Sequence, residues 1–239
     1  KIITLFVLGR KVAKSDILKI TSKFQKPPLG IKILFKILSF SFSSNQQGGA
    51  DRNEGERLSS SLESMGTTFI KLGQFLATRP DIIGEELSKK LENLQDKLPP
   101  FSLVEAKEII KNDLGNDTYN SIINLSDPVA AASIAQVHKA QINDSGIIKD
   151  VAIKILRPNI KKIFNDEIDA MMLFAFLVES FIKKTKRLKL VEVTFLLKQI
   201  TNHEMDLRFE AAAANEYAEN TKNDLGFKVP SIYWNFTSE

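Results

Sequence analysis

Along residues 51–113 apolar positions return with a helical period. Leu58, Leu62, Met65, Phe69 and Leu72 fall at i, i+4, i+7, i+11 and i+14, which predicts one amphipathic helix that Pro80 ends. A second stripe, Leu87, Leu91, Leu94 and Leu98, stops at Pro99-Pro100. Ser102 followed by Glu105 reads as a capping box and opens a third helix that carries Ile109 and Ile110. After Gly115 the texture changes. From Pro128 to Ile142 small residues give way to alternation, with Val137, Lys139 and Gln141 set against His138, Ala140 and Ile142. Asn143-Asp144-Ser145-Gly146 is a turn and Val151–Leu156 a β-branched run, so this stretch predicts strand, turn, strand, closed by Arg157-Pro158. Two helical segments follow, Ile160–Lys184 and about Val191–Asn220. The basic run Lys183-Lys184-Thr185-Lys186-Arg187 between them reads as a solvated loop. Phe227–Trp234 is a further strand candidate in which Tyr233 and Trp234 would pack.

Charge separates the first fifty residues from the rest. They hold nine Lys or Arg and one acid, Asp16, whereas the remainder carries 24 basic and 28 acidic residues. A basic arm of this kind suits an anionic partner, a lipid surface or a nucleic acid. Sparse aromatic interleaving and the lack of a recognised motif argue against nucleic acid. Within the arm, residues 1–22 read as a short helix, Pro27-Pro28-Leu29-Gly30 breaks it, and Ser43–Gly49 is a linker. Ile31–Phe42 reads first as a core or docking helix and second as a membrane-surface contact. Neither it nor Ile168–Ile182 reaches the roughly 20 apolar residues of a transmembrane span. The chain starts at Lys1 rather than Met, which points to a true N-terminus further upstream. With no cysteine, thiolate metal sites and disulfides are excluded, and two histidines, His138 and His203, do not make a poly-His metal site.

The chemistry begins at Val151-Ala152-Ile153-Lys154, which matches letter for letter the lysine motif on the third strand of kinases. On a strand, Lys154 and Ala152 share one face while Val151, Ile153 and Ile155 pack behind. An ammonium so placed can bind the α- and β-phosphates of ATP. A phosphate-covering loop should precede it, normally rich in glycine. Here the corresponding segment is Val129-Ala130-Ala131-Ala132-Ser133-Ile134-Ala135, then Gln136-Val137-His138. Alanine allows close approach but disfavours the positive φ angles of glycine, so this loop should be stiffer. His138 beside it reads as a structural hydrogen-bonding residue.

This alanine-rich loop resembles that of the UbiB/aarF-domain (ADCK-type) atypical kinases, a protein-kinase-like family linked to ubiquinone (coenzyme Q) biosynthesis. Three further segments match in order: Lys71-Leu72-Gly73-Gln74, Leu94-Gln95-Asp96 before Pro99-Pro100, and Glu204-Met205-Asp206 followed by Arg208-Phe209-Glu210. The likeness covers roughly residues 50–235. It implies an α+β fold, a protein-kinase-like small lobe with an antiparallel sheet and a helical extension before it. The domains would be a basic arm and linker (1–50), a helical Lys-x-Gly-Gln extension (51–115) and a kinase-like lobe (116–239), truncated before the hinge and large lobe.

The resemblance also implies roles. Lys154 and Glu210 would be the catalytic ion pair, 56 positions apart with an inserted helix between. Val129, Ala130, Ala131, Ala132, Ser133, Ile134 and Ala135, with Lys154, would bind the nucleotide. Lys71 and Gln74 would regulate the cleft by meeting Glu204 and Asp206. The i, i+4 spacing of Asp206 and Glu210 places both carboxylates on one helix face. ATP and Mg²⁺ are the implied cofactors, and anionic membrane, ubiquinone-biosynthesis enzymes or lipid precursors the implied partners, with the chain cytoplasmic and peripheral on the inner membrane. After Glu210 there is no His-Arg-Asp-type catalytic loop and no Asp-Phe-Gly segment. The alternative expectation is therefore a non-catalytic nucleotide- or lipid-binding remnant of a truncated or split gene.

Overall fold

A computed structural model describes residues 54–92, 94, 98–181 and 183–239; the expectations for the basic arm, Ile31–Phe42 and the linker lie outside them. The described residues form two compact units, one of residues 54–94 and 162–198, the other of residues 98–161 and 199–239.

The first unit opens with α1 (Glu54–Met65), α2 (Thr67–Ala77), α3 (Pro80–Ile83) and α4 (Glu85–Leu91). The single helix expected through Leu72 is thus two. Gly66 breaks it with φ 104° and ψ −177°, a conformation a β-carbon would resist, and its carbonyl then accepts the amides of Phe69 and Ile70 to start α2. Pro80 does not end α2, which stops at Ala77; it occupies the first turn of α3, where its missing N–H costs nothing. Leu62, Met65, Phe69, Ile70, Leu91 and Leu94 are buried between these helices. Gly73 lies where a β-carbon would come within 2.6 Å of Leu94 Cδ2 and 2.9 Å of Leu62 Cδ1, so any larger residue there makes those two leucine side chains shift.

Next come α6 (Ile160–Phe181) and α7 (Leu190–Glu204), joined through a 3-10 turn at Lys183–Leu188 where a loop was expected. Lys198 Nζ donates to Asp169 Oδ1 at 3.1 Å, and the Glu179 carboxylate accepts the Val191 amide at 3.2 Å, which ties the hairpin together. The second long helix also divides. Asp206, with φ −114° and ψ 99°, leaves the helical region and caps α8 (Leu207–Asn220).

The second unit is the sheet. Its leading helix, α5 (Leu103–Asn120), carries the expected capping box, Ser102 N–H to Glu105 Oε2 (3.1 Å) and Glu105 N–H to Ser102 Oγ (3.2 Å). It runs past Gly115, with a kink there. Strands β1 (Ile122–Ile123), β2 (Pro128–Ala131), β3 (Ala135–Asp144) and β4 (Ile147–Leu156) form one antiparallel sheet. β3 and β4 make a hairpin whose turn, Ser145-Gly146, has φ of 56° and 88°; two positive φ values are what a two-residue hairpin with right-handed twist demands. β1 and β2 share the other edge of β3. Ala106, Ile110 and Ile155 form the core between α5 and the sheet, with Ile153 and Phe101 against it. The α+β class and the kinase-like small-lobe arrangement are therefore present.

Phe227–Trp234 is not a strand. Pro230 lacks a ladder donor, and the Phe236 and Thr237 amides bond to the Tyr233 and Trp234 carbonyls in a 3-10 turn, Trp234–Phe236. Trp234 is half exposed, and Tyr233 lies with its ring 5.1 Å from Lys149 Nζ.

Gly73→Val puts β-branched bulk against Leu62 and Leu94. It is expected to lower stability by about 1–3 kcal/mol, read by chemical denaturation.

Candidate functional site

Lys154 reaches its position because β3 and β4 pair in register over ten residues, with Lys154 opposite Val137 and Ala152 opposite Lys139. Alternation then exposes Ala152 and Lys154 while Ile155 is buried. Lys154 Nζ donates to Glu210 Oε2 at 2.5 Å, joining β4 to the first turn of α8. The two side chains keep 40% and 60% of their exposure, so the pair is wet and of small worth to stability.

That ion pair stands in the wall of a cavity of about 370 Å³. The rest of the wall is mostly apolar: Ile109, Ile110 and Leu114 of α5, Val151–Leu156 of β4, Ala211 and Ala214 of α8, and Pro230–Tyr233 with Phe236–Glu239. Size and lining suit a small ligand held by a few polar groups. Asp113 also lines it; burial pushes its carboxyl above the usual carboxylate range, and Lys161 opposes that. The alanine segment does not contribute to this wall.

The alanine segment instead forms the tight connection from β2 to β3. Val129 is a β-bulge, since Pro128 pairs with His138 and Ala130 with Val137, and both Val129 and Ala130 are exposed. Ala131 and Ala132 are half-buried, and Ser133, Ile134 and Ala135 are buried. The Ala132 amide closes the turn on the Ala135 carbonyl at 2.8 Å. No residue from Val129 to Ala135 has a positive φ, so the turn uses only conformations that alanine accepts.

Two side chains hold that turn, and one of them, Arg157, was not anticipated. Its Nε and Nη2 donate to the Ala132 carbonyl (3.0 and 2.8 Å), Nη1 to the Pro99 carbonyl (2.9 Å) and Nη2 also to Leu98 (3.3 Å). No local spacing signals a contact to residues 58 and 59 positions away. Gln136 takes both backbone groups of Phe101: Oε1 accepts its amide at 2.9 Å and Nε2 donates to its carbonyl at 3.2 Å. Nε2 donates again, to His138 Nε2 at 2.9 Å, so Nδ1 of His138 is the protonated nitrogen and donates to the Ser126 carbonyl at 2.7 Å. His138 is wholly buried and structural, as its place in the strand implied.

Asp206 does not share a helix face with Glu210. As the N-cap of α8 it accepts the Arg208 amide at 3.1 Å, and the Arg208 guanidinium grips it with two bonds of 2.9 and 2.7 Å. Arg208 also donates to Glu239, which Lys161 holds from its other oxygen, each at 2.9 Å. The Arg208 fork draws the Asp206 carboxyl down to about 2. Glu204 ends α7 in an exposed position, and His203 stacks on Phe209 with ring centroids 3.9 Å apart. Lys71 and Gln74 are half-buried positions of α2 in the helical unit. Among the described residues no three His, Asp or Glu side chains gather to hold a metal.

The model of the ABC1 atypical kinase-like domain matches residues 93–239. Similar curated proteins are each described as "Probable protein kinase UbiB". That of Marinobacter nauticus is 37% identical over 186 residues, covering 77% of this chain and 34% of the relative. That of Cellvibrio japonicus is 35% identical over 77% of this chain and 33% of the relative. That of Vibrio cholerae serotype O1 is 35% identical over 80% and 35%. The matched region thus spans about a third of the length of these relatives.

Two outcomes follow from the geometry. Arg157→Met leaves three backbone carbonyls without their donor. It is expected to cost about 2–4 kcal/mol and to speed hydrogen exchange at the Ala132 amide more than at the centre of the β3–β4 ladder. For Asp206, a depressed folded pKa means a stabilisation complete above the unfolded value of about 4. It is lost as pH falls through the folded value of about 2. Acid unfolding of Asp206→Asn, followed by circular dichroism, should therefore be flatter between those limits.

Proposed function

Because the chain belongs to the ABC1 atypical kinase-like family, together with its UbiB relatives, we propose that it is the ATP-binding portion of an atypical kinase or ATPase supporting ubiquinone biosynthesis. Family membership supports the coarser statement, an ATP-binding, kinase-like domain of UbiB type. The single observation that carries the nucleotide-binding part of the reading is the Lys154–Glu210 bond, which sets a cation on a strand and a carboxylate on a helix in the wall of a cavity of about 370 Å³. In this reading Lys154 holds the α- and β-phosphates and Glu210 keeps its ammonium extended toward them.

The alanine turn lies at the opposite end of β4 from the β3–β4 turn, where Ala135 pairs with Leu156. Its backbone, fixed by Arg157 and Gln136, would meet the phosphates as a preset surface rather than a closing flap, with Val129 and Ala130 on the exposed side. Mg²⁺ would arrive on the phosphates, which is how this ion is usually held where protein carboxylates are few. Lys71 and Gln74 would act as regulators of the site, with Glu204 and Asp206 as their counterparts. Asp206 is already engaged by Arg208, so a competing lysine would have to displace a two-bonded guanidinium.

The partners in this reading are ubiquinone-biosynthesis enzymes or their lipid precursors, at a peripheral place on the inner membrane. Among the described residues no helix is long and apolar enough to cross a membrane.

Removing the phosphate-binding charge tests the reading directly. Lys154→Ala should weaken binding of a fluorescent ATP analogue with Mg²⁺ by about 10- to 100-fold, the equivalent of a lost charge-assisted bond. Equal affinity in the two proteins would sink the proposal.

A further inference from the structure

Lys154 and Glu210 are connected by more than their own bond. Lys154 lies near the end of β4, which closes at Leu156, and Lys161 follows five residues later beside the buried Ile160. Glu210 lies in the first turn of α8. Glu239 bridges the two. One of its carboxylate oxygens accepts from Lys161 Nζ and the other from Arg208 Nη2, each at 2.9 Å. Arg208 in turn forks onto Asp206, the cap of α8, with bonds of 2.9 and 2.7 Å. A closed ring results. It runs from Lys154 along β4 to Lys161, through Glu239 and Arg208 into α8, and back by Glu210.

Within that ring the Lys154–Glu210 bond has the least hold on its own geometry, since both side chains are wet. Glu239 is placed differently. Its carboxylate meets two cations from two elements, and exposed ion pairs gain in worth when several charges form a network. Lys161, and after it Arg208, hold its carboxyl below the usual carboxylate range against the repulsion of Asp206, so it is charged at neutral pH. Lys161 also attracts Asp113 and Asp206, but its bond is to Glu239. Without the charge on Glu239, Lys161 and Arg208 are like charges left facing each other, and their repulsion drives α8 away from the end of β4. Arg208 sits 200° around α8 from Glu210 at 100° per residue, so it grips the helix from outside the cavity. Glu239 itself lines the cavity wall.

We propose that Glu239, with Arg208 and Lys161, is a positioning group for the candidate site. It holds the first turn of α8 against the exit of β4 and so keeps the Glu210 carboxylate on the Lys154 ammonium. Its effect on nucleotide binding rests on the reading above, whereas its hold on the Lys154–Glu210 bond does not.

Acylation of lysines by acetic anhydride, read by mass spectrometry on the full chain, reports the pairing of Lys154 without any nucleotide. In Glu239→Gln the rate at Lys154 should rise about three- to tenfold, toward that of Glu210→Gln, while the exposed Lys107 of α5 keeps its rate. Lys161→Gln, which leaves Arg208 its bond to Glu239, should act in the same direction and more weakly. Binding of the fluorescent ATP analogue with Mg²⁺ should weaken about three- to tenfold in Glu239→Gln. It should show no further loss where Glu210→Gln is already present, because the two residues act through one contact. Circular dichroism checks that each variant keeps its fold. An unchanged rate at Lys154 would overturn the proposal. So would a loss of affinity that persists in full in the Glu210→Gln background, since Glu239 would then act on the ligand directly. If Lys154→Ala binds the analogue as well as the parent chain does, the nucleotide reading falls, and the acylation rates alone decide the positioning.

Discussion

β3 is hydrogen-bonded along both edges, and the register of that pairing decides which face of the sheet Lys154 takes. Ten pairs tie it to β4, and its other edge is divided between β1 and β2. Because side chains alternate with a period of two, slipping β4 by one residue would bury Lys154 and expose Ile155. Burying Ile155 under α5 therefore does more than fill a core. It pays for the orientation of the lysine, which gains little from its own exposed ion pair.

The Lys154–Glu210 bond is then better understood as an arrangement for binding than as a support for the fold. Support comes from groups that are buried or multiply bonded. Arg157 spans three carbonyls, Gln136 answers both backbone groups of Phe101, and His138 closes the chain of bonds at Ser126. These side chains anchor the alanine turn to the segment that enters α5. A glycine loop would have kept its freedom; this one is tied down from both sides.

Much of this was legible from residue order, and the failures share a cause. The capping box at Ser102, the hairpin and its turn depend on neighbours in sequence and were read correctly. The Lys154–Glu210 pairing came from family resemblance, since nothing local connects positions 56 apart. The break at Gly66 was invisible because Leu62, Met65 and Phe69 face the same core from two helices, so the apolar period runs straight through the interruption. Asp206 looked helical because its neighbours on both sides are; only its bond to the Arg208 amide shows it to be a cap. The Arg157 contacts and the bulge at Val129 depend on distant backbone, and no pattern announces them.

The span of the Arg157 clamp has a consequence for the order in which the unit assembles. The hairpin closes through two residues, Ser145 and Gly146, whereas the clamp must bring together groups 58 and 59 positions apart. Loop closure of that length carries a larger entropic cost and is repaid only after the strands exist. The tie from Arg157 to Leu98 and Pro99 is thus expected to form later than the hairpin. By the same free-energy balance, that tie can loosen while the ladder beside it stays intact.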